Sequence, residues 1–81
     1  MSSLYVNSVL AILSNGDDLS LTALKERLYG TLEQAAEGME FGPERAHVRE
    51  IAEQILDRQA SRSAAVAAAT ELLADLGYPL L

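Results

Sequence analysis

No cysteine occurs among the 81 residues. That excludes disulfides, thiolate zinc sites and iron–sulfur clusters, and fits a reducing compartment. Tryptophan is missing too, and the aromatic side chains are limited to Tyr5, Tyr29, Phe41 and Tyr78. Basic residues are scarce: six Lys and Arg stand against twelve Asp and Glu, a net charge of −6. Binding a phosphate backbone or an anionic membrane surface needs clustered cations. Neither nucleic acid nor membrane is therefore expected as a partner, whereas a basic protein face is. The most apolar stretch, Leu4 to Leu13, is too short to cross a bilayer and contains Asn7 and Ser8. No Lys or Arg precedes it and no cleavage pattern follows, so no secretory leader is expected and the cytoplasm is the expected compartment.

What the chain does have is apolar content, 49% of its residues, much of it alanine. That is enough for folding rather than disorder. A chain this short forms one domain, residues 1–81, with a small core that often needs help from oligomerisation. The expected fold is all-α, a small bundle of three to four helices. The first helix covers about Ser3 to Ser14, with Tyr5, Val9, Ile12 and Leu13 on one side and Val6 and Leu10 widening the face, so it should meet more than one neighbour. Asn15-Gly16 ends it, glycine accepting the left-handed turn common there. Ser20 is an N-cap, with Leu19 and Leu24 at hydrophobic-staple spacing. The second helix runs from Leu21 to Glu37 with Leu21, Leu24, Leu28, Leu32 and Ala35 on one stripe. Gly30 inside it points to a close helix crossing. Gly38 stops this helix and Pro43 starts the next.

From Glu44 to Leu76 there is neither Gly nor Pro. As one helix this stretch is roughly 50 Å long. Val48, Ile51, Ala52, Ile55 and Leu56 form an apolar face, and Glu50, Glu53 and Asp57 an acidic stripe. Between Asp57 and Ala65 no large apolar residue occurs. A heptad seam nevertheless continues from Val48 through Ile51, Ile55, Arg58, Arg62, Ala65, Ala69, Leu72 and Leu76. One continuous helix over about 44–76 is the expected form; the alternative is a break near 58–63, capped by Ser61 or Ser63. Arginines on a seam are costly unless paired, so Arg58 and Arg62 should reach water or carboxylates such as Glu33, Glu37 or those of a partner. Gly77, with Leu73 and Tyr78 at C-cap contact spacing and Pro79 behind, ends the helix.

The constellations that carry chemistry are thin. Glu44 and His47 have the Glu-x-x-His spacing of di-iron bundles, which require two such motifs and two further glutamates; His47 is otherwise a surface histidine. Ser and His without a third partner make no triad. Gly16-Asp17-Asp18-Leu19-Ser20-Leu21 echoes the attachment sequence of acyl and peptidyl carrier proteins, but the serine is displaced and a capping sequence accounts for it. A helix-turn-helix reading offers Arg45 and Arg49, surrounded by Glu44, Glu50, Glu53 and Asp57, which repel phosphate. No catalytic, cofactor-binding or metal-ligating residue is assigned, and no cofactor is expected.

The first functional expectation is a small acidic protein-binding regulator: an inhibitor, anti-activator or adaptor that occludes a partner protein and forms a homodimer. Small phage or bacterial regulators share this size and charge as a class. The alternatives are a helix-turn-helix DNA-binding regulator and a carrier-like or metal-binding helical protein. The first two helices offer too little length to line a helix of roughly 50 Å. Val66, Ala69, Leu72, Leu73 and Leu76 are therefore the expected self-association face. Glu50, Glu53, Asp57, Tyr78 and Leu80 are the expected contacts to a foreign partner.

Overall fold

Four α-helices form the fold in a computed structural model, which describes the backbone of residues 3–75 and the side chains of residues 5–75. The helices are α1 (Ser3–Ser14), α2 (Leu21–Glu37), α3 (Gly42–Leu56) and α4 (Arg62–Asp75). A 3-10 turn over Gly16–Asp18 joins the first two. No strand occurs among the described residues, and no helix among them is long and apolar enough to cross a membrane.

The bounds of α1 and α2 follow the sequence expectation, and the caps supply the reason. Ser20 sits in extended backbone and its Oγ accepts a hydrogen bond from the Ala23 amide at 3.1 Å. Gly38 closes α2 with its amide donating to Ala35 O and Ala36 O. Its φ of −85° and ψ of −2° are right-handed, and Gly16, the site of the expected left-handed turn, also lies outside the left-handed region, as the first residue of the 3-10 turn. Gly30 differs from expectation more sharply. A Cβ there would meet nothing within 4 Å, so it marks no close crossing. Gly30→Ala should therefore raise stability by up to about 1 kcal/mol through helix propensity and a less free unfolded chain. The check is the midpoint of urea unfolding, and a fall in that midpoint would contradict the open space.

The long C-terminal helix is the main correction. The chain leaves helical geometry at Asp57, with φ −52° and ψ 132°, and re-enters at Arg62. Two short polar side chains hold the break. Asp57 Oδ1 accepts from the Gln59 amide at 2.8 Å, and Asp57 O accepts from the Ala60 amide at 3.0 Å. Ser61 Oγ then caps α4 by accepting from the Ala64 amide at 3.1 Å. The described residues extend 32 Å in their longest direction, well short of the roughly 50 Å one helix would need.

Folding back at 57–61 lays α4 against α3, α2 and α1. Its inner face, Ala65, Ala69, Leu72 and Leu73, is 0–1% exposed. Val9, Leu24, Leu28, Leu32, Val48, Ala52 and Ile55 belong to the same interior, each fully buried. A fully buried leucine contributes about 1.5–3 kcal/mol relative to an exposed one. The expectation that Ala69, Leu72 and Leu73 need a second chain for cover is thereby corrected: one chain covers them. Leu76, and with it the proposed Gly77 cap, lies outside the described residues. Leu21, expected on the core stripe, is instead 38% exposed.

Two cations lock the helix ends. Lys25, only 7% exposed, donates its ammonium to Asp57 O at 2.7 Å and so caps α3. The Arg62 guanidinium donates to the carbonyls of Gly16 and Leu19, tying the start of α4 to the α1–α2 connection. Arg62 thus pairs with backbone, not with the carboxylates expected, and Arg58 is exposed in the turn. Among the described residues no buried side-chain nitrogen or oxygen lacks a partner.

Candidate functional site

These contacts fix which residues share an end of the bundle. Lys25 near the start of α2 meets the end of α3, and Arg62 at the start of α4 meets the end of α1. At the opposite end the start of α1, the end of α2, the start of α3 and the end of α4 come together. There Tyr5, Ala35, Met39, Glu40, Phe41 and Glu44 line a cavity of about 310 Å³.

The α2–α3 connection builds this cavity. After Gly38, the Met39 amide donates to Ala36 O at 3.1 Å, and the Met39 side chain turns into the core at 8% exposure. Phe41 is the N-cap of α3, with its carbonyl accepting from the Arg45 amide at 3.0 Å and no side-chain cap bond. With Met39 already filling the interior position, the Phe41 ring stays 65% exposed, the most exposed large apolar side chain among the described residues. Glu40 is exposed and Glu44 half-buried on the cavity wall, with Arg45 the cation nearest in sequence. The site combines an apolar knob, a small recess and a carboxylate rim. It offers shape and charge rather than a nucleophile or an acid–base pair.

The residues singled out from sequence fall elsewhere. Glu50 and Glu53 are exposed on the outer side of α3, and Asp57 is exposed at its end, where it is also engaged in the turn and the Lys25 contact. Val66 is half-buried and lines a shallow, more open cavity of about 510 Å³ with Arg62 and Thr70. Ala69, Leu72 and Leu73 are interior, and Leu76, Tyr78 and Leu80 lie outside the described residues. His47 Nε2 is 3.6 Å from Asp75 Oδ2, an exposed contact between α3 and α4 of small energetic weight. Among the described residues no group of three or more His, Asp or Glu is placed to hold a metal ion. Arg49, one of two arginines in the helix-turn-helix reading, has its Nε 4.0 Å from Glu33 Oε2.

Sequence reasoning missed the Phe41 end. The signal was available: an aromatic residue between Gly38 and Pro43, outside both apolar stripes, has no helix face on which to be buried. It was also available for Lys25, which stands on the same stripe as Leu21, Leu28 and Leu32 and must therefore find an acceptor inside.

Fold and site together define a small all-α bundle with an exposed aromatic at one end. Compared with protein-family models, characterised proteins and solved structures, the chain matches none.

Proposed function

We propose that this protein is a binding regulator without catalysis of its own, an inhibitor or adaptor that acts by occupying a partner protein. The observation that carries this reading is Phe41, 65% exposed beside a recess of about 310 Å³. Aromatic side chains, Phe among them, are enriched at protein interfaces relative to the rest of the surface. The exposed carboxylate of Glu40 on the recess wall, on a chain of net charge −6, favours a partner segment that pairs an apolar side chain with Lys or Arg. Glu50 and Glu53 extend the same sign of charge along α3.

Capture experiments from the native host with the wild-type chain, Phe41→Asp and Glu50→Lys/Glu53→Lys test this. Phe41 touches little of the core and is the N-cap of α3, a position that aspartate favours, so Phe41→Asp should keep or raise the unfolding midpoint while weakening partner binding by about 2 kcal/mol or more, at least some thirtyfold. A folded Phe41→Asp protein that retains full partner affinity would remove the site. Loss of binding only with the α3 pair would move it to the acidic stripe.

A further inference from the structure

The turn at 57–61 separates two helices that share one buried stripe. Val48, Ala52 and Ile55 of α3 and Ala65, Ala69 and Leu72 of α4 are all at most 1% exposed. Continued as a single heptad register, these positions fall on one side of an unbroken helix. The turn itself, Asp57-Arg58-Gln59-Ala60-Ser61, contains no Gly and no Pro, and all of it but the half-buried Ala60 is exposed. Nothing in its covalent structure forbids a helix. A straight helix would give each amide from 57 to 64 its ordinary carbonyl four residues back. The local bonds it gives up are Gln59 N to Asp57 Oδ1, Ala60 N to Asp57 O and Ala64 N to Ser61 Oγ; one tertiary bond, the Lys25 clasp on Asp57 O, goes with them.

We infer that this chain exchanges α4 with a second copy of itself by straightening residues 57–61, giving a two-fold dimer. Each α4 then occupies, in the other chain, the site it leaves in its own. The contacts of its inner face with α1, α2 and α3 are reproduced, as is the Arg62 guanidinium on the carbonyls of Gly16 and Leu19. Exchange of an identical element is a low-cost route to dimers for this reason, and short hinges invite it. The His47–Asp75 contact fixes the antiparallel register of α3 and α4. In the exchanged form the two long helices lie antiparallel in that register, and the two-fold axis passes near Ser61, midway between those positions. Arg58 of one chain then lies beside Ser61, Ala64 and Ala65 of the other, where small side chains leave it room. The closed and exchanged forms differ at the hinge and in the Lys25 contact it receives, so the hinge caps and that contact set their balance. This inference concerns self-association alone and is independent of the Phe41 site.

The chain has no cysteine, so His47→Cys/Asp75→Cys carries a unique thiol pair for a short bismaleimide cross-linker. In a closed monomer the link is within one chain; in an exchanged dimer it joins two chains and runs at twice the mass on a denaturing gel. On that background Asp57→Ala/Ser61→Ala removes one cap at each side of the hinge. The association constant should then rise by about thirtyfold or more, two chains each losing two caps of at least about 0.5 kcal/mol apiece, read by light scattering on a sizing column. Arg58→Gly/Gln59→Gly should oppose it, because glycine weakens the straight helix. Dimer that cross-links between chains, increased by the alanine pair and reduced by the glycine pair, is the expected result. A hinge variant that stays monomeric at millimolar concentration, or a dimer whose cross-links are all within chains, overturns the inference. If the alanine pair fails to fold, as judged by circular dichroism, the cysteine protein refolded at millimolar concentration decides by the same gel. An inter-chain band supports exchange, and its absence overturns it.

Discussion

Leu72→Asp unfolds this protein. Leu72 is 1% exposed in the interior formed by α4 with α1, α2 and α3. Truncating such a leucine already costs about 2–5 kcal/mol through lost burial and the cavity left behind. An aspartate adds a carboxylate with no cation placed to receive it, at a further cost of several kcal/mol. A domain of this size has about 5 kcal/mol or a little more to lose. The expected result is loss of the helical circular dichroism signal at 25 °C with no cooperative transition on heating. The outcome separates two roles for the same side chain. A leucine reserved for a second chain would tolerate aspartate in the isolated protein and lose only association. A folded Leu72→Asp monomer with the wild-type midpoint would therefore contradict the position of α4.

Arg62→Ala should lower stability by about 2–3 kcal/mol without unfolding the chain. The guanidinium makes two charge-assisted bonds, to the carbonyls of Gly16 and Leu19. Each such bond is worth about 1.5–3 kcal/mol, and less at Gly16 O, which also accepts from the Leu19 amide at 3.2 Å. Arg62 is half-buried, and water can replace part of what is lost, so the cost falls at or below the bottom of the summed range of about 3–6 kcal/mol. For a domain of this length the corresponding fall in Tm is about 10–20 °C. Arg62→Lys should recover part of it, since an ammonium reaches one carbonyl but lacks the fork that spans two. Thermal unfolding of the three proteins in parallel is the check. An Arg62→Ala midpoint within about 2 °C of wild type would mean that the two carbonyls are satisfied by water.

Much of the fold was legible in the residues. The helical class, the bounds of α1 and α2 and the Ser20 cap all come from signals local to a few residues: apolar spacing, a hydroxyl before it, a glycine after it. The break at 57–61 was harder because its two signals are weak separately. Asp57 and Ser61 are short hydrogen-bonding side chains, able to hold either a turn or a helix surface position, and no Gly or Pro stands between them. The heptad register running through Arg58 and Arg62 favoured continuity. What decided against it was the gain from folding α4 back onto three helices, an interaction between segments distant in sequence. The same long-range contact moved Ala69, Leu72 and Leu73 from an expected self-association face into the interior. Phe41 went unnoticed for the converse reason. Its exposure depends on Met39 having taken the buried position, and periodicity cannot report on a residue between two helices.

By itself the sequence determined an all-α chain, where its first two helices begin and end, and a net charge of −6. Those properties follow from side-chain chemistry within a turn or two of helix. Tertiary structure alone decided that the C-terminal segment doubles back, that Lys25 and Arg62 cap distant helix ends, and that an aromatic ring stands exposed beside a recess. Each of these compares one burial with another across the whole bundle, and no local stretch of residues contains both sides of that comparison.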